Sequence, residues 1–230
     1  MNVSRRFVLK GMALSGMAGV ATAHGVLPAM ANSLAGMSGR HAHDQTLVLV
    51  GAGLTESPFV AGAQAAAGAR LQTRVLTHEL DGLLAFERGL RVRGLHVIAL
   101  LDDATATLAL DLARGAGARV QWLGHHAGEE GFSSHSVLST EASRHCAREL
   151  ELRLAACGAG YRLHEERQGG HPVVRSQGSP PARHAGAGSV WASDLGYVLA
   201  SLAGPPAMPV PVSARPARLD GRFVSFSIAT

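Results

Sequence analysis

Lysine, aromatic rings and charge are all scarce in this chain. Lys10 is the only lysine, aromatic residues make up 4% and charged residues 17% of the 230 positions. So few rings argue against a stacking platform for sugars or unpaired bases. The signature motifs of several enzyme classes are also missing. No H-E-x-x-H metalloprotease helix, no G-x-S-x-G nucleophile elbow and no P-loop lysine occurs. The most apolar N-terminal stretch, Gly11 to Ala23, is interrupted by Gly16 and Gly19. It falls short of the roughly 20 apolar residues that a spanning helix needs. The two cysteines are Cys146 and Cys157. On one continuous helix they would stand about 16 Å apart, well beyond the roughly 7 Å that a disulfide bridges. They read as two small core residues, with a thiol or metal role as the rival.

What is present fits a globular domain. Hydrophobic residues make up 47%, enough to bury one core. The net charge of +4 suggests a basic protein, but Arg5, Arg6 and Lys10 supply three of those charges at the extreme N-terminus. Without them the balance is about +1, which gives no electrostatic case for nucleic acid or anionic membranes.

That N-terminus reads Ser4-Arg5-Arg6-Phe7-Val8-Leu9-Lys10, followed by the weakly apolar stretch and a small-x-small site at Ala29-Met30-Ala31. It resembles a twin-arginine translocation signal, with Val8 where phenylalanine is commonest in that pattern. The resemblance covers residues 4–31 and implies cleavage, handling by the twin-arginine translocase and a periplasmic destination. Substrates of this route fold before crossing, often around a cofactor, so it also implies a folded passenger. Residues 1–31 are thus expected as signal, 32–45 as a flexible mature N-terminus and 46–230 as a single domain.

Within that domain short apolar runs alternate with helical patterns. Strands are expected at Thr46–Val50, Leu71–Thr77, His96–Leu101 and Arg119–Leu123. Helices are expected after Ser57-Pro58, over Asp81–Arg91 and from Asp102 or Asp103 to Ala116. Four strand–helix alternations with continuous apolar strands predict an α/β, three-layer domain, Rossmann-like or flavodoxin-like, with a mainly parallel sheet. Leu138, Ala142, Cys146, Leu150 and Leu154 recur every four residues, predicting a long helix over Val137–Cys157. A fifth strand is expected at Tyr161–Glu165 and a helix at Val190–Leu202. Residues 168–188 and 204–216 read as loops rich in glycine and proline, and Phe223–Ile228 as a closing edge strand.

In open α/β sheets ligands bind outside the carboxyl ends of the strands. There the sequence places Gly51 and Gly53, then His78 and Glu79, then Asp102 and Asp103, as candidate ligand-binding residues. His125 and His126 follow strand four, with Glu129, Glu130 and His135 beyond. His78, His125, His126 and His135 form a candidate ligand set for a transition metal, since imidazole suits zinc, iron or copper. The same groups can act as acids and bases around a small molecule. Asp81, Asp102 and Asp103 also suit helix capping. The Gly51-Ala52-Gly53 turn resembles the start of a dinucleotide fingerprint, but Glu56 stands where the third glycine belongs and would repel a pyrophosphate. His41 and His43 form a further pair near the flexible N-terminus. Glu141, His145 and Glu149 stand one turn apart, explained more simply by pairing with Arg144, Arg148 and Arg153.

Three functions are compatible with this pattern. One is an exported α/β binding or accessory protein for a small ligand or metal. The others are a hydrolase or metal-assisted enzyme using His78, His125 and His126, and an interaction subunit that docks an exported partner.

Overall fold

In the computed structural model the chain alternates strands and helices around one open sheet. The structure describes residues 45–129, 132–157, 160–168, 172–178, 190–205 and 219–230. The signal-like segment, the His41/His43 pair, Glu130 and most of the two expected Gly/Pro-rich loops lie outside these residues.

The first half follows the sequence closely. Strand β1 (Gln45–Val50) leads to helix α1 (Pro58–Ala67), β2 (Leu71–Val75), α2 (Leu80–Gly89), β3 (Leu95–Leu101) and α3 (Asp103–Gly115). Proline at the first turn of α1 has no amide to leave unpaired there. Asp102 caps α3 by accepting the Thr105 amide at 2.9 Å and the Thr105 hydroxyl at 2.7 Å. Beyond α3 come β4 (Arg119–Glu129), β5 (Phe132–Ser139), α4 (Cys146–Ala156), β6 (Gly160–Arg167), β7 (Pro172–Gly178), α5 (Val190–Ala200) and β8 (Gly221–Ala229).

The eight strands lie in the order β2-β1-β3-β8-β4-β5-β6-β7. β1 is parallel to β2 and β3, and β5 to β6. The β3–β8, β8–β4, β4–β5 and β6–β7 pairs are antiparallel. The fold is therefore α/β with an open, mixed sheet, and parallel pairing dominates only in the β2-β1-β3 half.

Several sequence expectations change here. β4 runs on to Glu129, so His125 and His126 lie within the strand and not after it, and residues 172–178 of the expected 168–188 loop form β7. Val137–Cys157 is not one helix: Phe132–Ser139 is strand, and only Cys146–Ala156 is α-helical. Ser133, His135, Val137 and Ser139 are buried while Ser136 is exposed, a period-2 pattern that a serine-rich segment of poor helix propensity readily adopts. A turn at Thr140 separates the two elements. The Thr140 hydroxyl bonds the Gln121 carbonyl at 3.0 Å, the Ser143 hydroxyl bonds the same carbonyl, and Thr140 and Ser143 cap each other. The last strand, β8, is not an edge. It threads between β3 and β4, and Ser225 and Ser227 are fully buried. Their hydroxyls mimic outward-facing residues in sequence, yet hydrogen bonds inside the core satisfy them.

Helices α1, α4 and α5 cover one face, packing Phe59, Trp191, Leu195, Leu150 and Leu154 against Val48, Ile98, Leu100, Trp122, Val137 and Leu163. Helices α2 and α3 cover the opposite face over β1, β3, β8 and the first half of β4, through Leu83, Phe86 and Leu110 against Leu49, Val97, Leu101 and Phe226, with Val120 and Leu123 packed at the margin. α1 and α5 approach very closely. A Cβ added to Gly62 would lie 1.9 Å from the Ser193 carbonyl oxygen, and one on Gly196 2.0 Å from that of Phe59. Cys146 is buried and Cys157 exposed. No helix among the described residues is long and apolar enough to cross a membrane.

Candidate functional site

Among the described residues, α3 reaches β4 only at its first half, over Val120 and Leu123, and no helix covers the same face of the rest of β4, β5 and β6. Successive side chains on a strand point to opposite faces, so each of these strands presents every second residue there. β4 contributes His125 and Ala127, β5 contributes Ser134 and Ser136, and β6 contributes Arg162 and His164.

Strand register sets these residues in rows. His125 pairs with Ser136, and Ser136 with His164. One step along, Arg222 of β8 pairs with Ala127, Ala127 with Ser134, and Ser134 with Arg162. At about 4.8 Å per strand, the backbones of His125 and His164 stand roughly 10 Å apart and those of the two arginines roughly 14 Å apart. Small residues floor the middle and long ones rise at the sides. The result is a basin of about 540 Å³, lined by these residues with Asp103 at the start of α3. The Arg162 guanidinium leans over the Phe132 ring, 5.8 Å from its centroid.

Directly behind the basin, on the covered face, lies a buried polar chain. His126 and His135, each 2% exposed, meet Nδ1 to Nδ1 at 2.8 Å. His126 Nε2 lies 2.7 Å from the Ser225 hydroxyl, which also accepts the Trp122 indole N–H at 2.9 Å. His135 Nε2 lies 2.9 Å from the Ser133 hydroxyl. Trp191 of α5 stacks on His126 with ring centroids 5.4 Å apart and an interplanar angle of 23°.

These contacts give the chain a direction. An indole nitrogen only donates, so the Ser225 oxygen accepts from Trp122, and its own O–H is available to donate to His126 Nε2. His126 then carries its proton on Nδ1 and donates to His135 Nδ1, and His135 donates from Nε2 to Ser133. The arrangement requires both imidazoles to be neutral. Burial drives both toward the neutral form, pushing His135 down to about 3 and His126 well below the ordinary histidine value, with His135 and His125 adding to the shift at His126. Gly124 makes the room, since a Cβ there would come within 2.6 Å of His126 Nε2 and 2.8 Å of the Ser225 hydroxyl.

The expected metal set is thereby divided. His125 faces the basin, His126 and His135 face the core, and exposed His78 follows β2, four strand positions and roughly 19 Å from β4. Among the described residues no group of three His, Cys, Asp or Glu side chains is placed to hold a metal ion. Gly51 is buried at the end of β1, Gly53 is exposed in the turn after it, and Glu79 is exposed ahead of α2. Asp102 serves as a helix cap. Burial raises its pKa, but the Thr105 hydrogen bonds outweigh this and leave it below the usual carboxylate value. Of the predicted residues, Asp103, His125, His126 and His135 border the basin, and strand alternation turns the side chains of His126 and His135 to the covered face. The sequence reading missed Ser134, Ser136, Arg162, His164 and Arg222. The alternation Arg162, His164, Glu166 against buried Tyr161, Leu163, Glu165 is the signal that marks a one-sided strand.

No protein family, curated protein or solved structure matches this chain.

Proposed function

We propose that this is an exported binding or accessory protein, carried across the membrane by the twin-arginine translocase, whose mature domain holds a small ligand in the basin over β4, β5 and β6. The basin itself carries this reading. It is a concavity of about 540 Å³ with a floor of small side chains and converging polar groups, within the range of small-ligand sites. Its position supports the same reading, because it opens where the helical layer ends and backbone already paired in the sheet supplies a rigid platform. The buried His126 and His135 serve the reading as a support behind β4 and β5, and their enclosure argues against a hydrolytic role for His126. The β2-β1-β3 order, with α1 on one face and α2 and α3 on the other, supports a flavodoxin-like winding for the covered half, from which the inserted β8 departs.

The test is a thermal-shift screen of the mature protein against small anionic, neutral and cationic compounds, repeated on Ser136→Phe. Ser136 is exposed on the basin floor, so a ring there fills the site without disturbing the core. Stabilisation by a ligand that disappears in Ser136→Phe is expected. Stabilisation that survives the substitution places binding elsewhere and ends the basin reading.

A further inference from the structure

We infer that the ligand is a small organic dianion, a dicarboxylate or a phosphorylated compound; this rests on the basin being the binding site. Its permanent charges decide the sign. Arg162 and Arg222 end one row on opposite sides, and among the described residues Asp103 is the one carboxylate in the lining. Between the arginines the floor is Ala127 and Ser134, so no side chain of the row stands in the way of a bridging ligand. A guanidinium remains charged at all working pH values and offers a planar fork that matches carboxylate or phosphate oxygens.

Two arginines about 14 Å apart at the backbone, each with a long side chain able to lean inward, suit a molecule with charge at two ends. The basin of about 540 Å³ has room for a molecule larger than a lone inorganic anion. His125 and His164 flank the second row with Ser136 between them, giving the middle of the ligand hydrogen-bonding partners. Asp103 can accept a hydrogen bond from a hydroxyl and disfavours a third negative group at the α3 end. Packing against Phe132 limits the freedom of the Arg162 head, which lowers the entropy lost on binding.

Isothermal titration of the mature protein with succinate, glycerol 3-phosphate and inorganic phosphate tests this, with erythritol as the neutral control. At least one of the two organic dianions is expected to bind, more tightly than inorganic phosphate. Arg162→Gln and Arg222→Gln are each expected to weaken it about tenfold or more. Comparison of the two organic compounds separates dicarboxylate from phosphoryl recognition. If neither binds at millimolar concentration, or if both arginine variants bind as the wild type does, the dianion inference is overturned. A neutral or cationic ligand that is lost in Ser136→Phe but retained in both arginine variants overturns it while leaving the basin reading standing. Binding of the dianion that persists in Ser136→Phe removes both.

Discussion

His126 and His135 face each other Nδ1 to Nδ1 at 2.8 Å under the indole of Trp191, a contact that holds only while one ring donates and the other accepts. A proton added to His135 goes on Nδ1 and puts a second hydrogen into a gap that accommodates one, while a proton added to His126 goes on Nε2 against the Ser225 hydroxyl; either puts a charge in a buried site. The pair therefore links the strands behind the basin to the pH outside.

Stability should fall as the medium becomes acidic. Both folded-state pKa values are depressed, His135 to about 3, so below the unfolded histidine value the unfolded chain binds more protons than the native one. The contribution is fully present above roughly pH 6.5 and is lost as pH drops from there toward the folded values. Two such groups give a loss on the order of 4 kcal/mol between pH 7 and pH 5. Urea unfolding at the two pH values measures it. His135→Leu should lower stability at pH 7 by leaving the His126 proton without an acceptor, yet flatten the pH dependence. An unchanged slope in that variant would show that the pair is not the source.

Substituting Gly124 should be costly although it adds one methyl group. Gly124→Ala drives a Cβ to 2.6 Å from His126 Nε2 and is expected to destabilise the domain by about 1–3 kcal/mol. Gly196→Ala should cost at least as much, since its Cβ would meet main-chain oxygen, which cannot rotate away. Midpoints of denaturant unfolding give both values. A tolerated Gly196→Ala would mean that α1 and α5 stand further apart than described.

Exposure does not make Cys157 reactive. Its thiol is pushed up to about 11, chiefly by burial and then by the Asp194 carboxylate, whose oxygen lies 3.5 Å from the sulfur. Raised from the ordinary value of 9.0, it holds about 100-fold less thiolate at pH 8. Alkylation by iodoacetamide, followed by mass spectrometry, should be correspondingly slow at Cys157. Asp194→Asn should speed it by removing the facing charge, and equal rates in the two proteins would contradict this account.

Export should depend on the arginine pair. Replacing both Arg5 and Arg6 with lysine is expected to leave the full-length precursor in the cytoplasm, while the parent chain is recovered in the periplasmic fraction. Fractionation with immunodetection reads both, and periplasmic recovery of the variant would refute a twin-arginine route.

Much of residues 45–115 was legible because local rules suffice there. Continuous apolar runs such as Leu95–Leu101 are buried on both faces, and Ser57-Pro58 and Asp102 carry their own helix-start chemistry. The later half was harder to read because its polar residues are structural. Spacing at every fourth position joined Leu138 to Cys146, although Leu138 belongs to a strand and Cys146 to a helix. Ser225 and Ser227 gave an edge-like alternation in a strand that is enclosed on both sides.

The sequence by itself determined that helices and strands interleave and that Asp102 or Asp103 opens α3, because propensity, periodicity and capping act within a few residues. It ended strand four at Leu123 and set His125 and His126 together beyond it; the longer β4 turns them to opposite faces, since strand side chains alternate. Only the tertiary structure decided what each face meets. Inserting β8 between β3 and β4 brings Ser225 to His126 and Arg222 level with Ala127, residues roughly one hundred positions apart. Non-local pairing of this kind depends on which strands find each other across the whole chain, and no local pattern records it. The same choice leaves β4, β5 and β6 open on one side, and that opening is the basin.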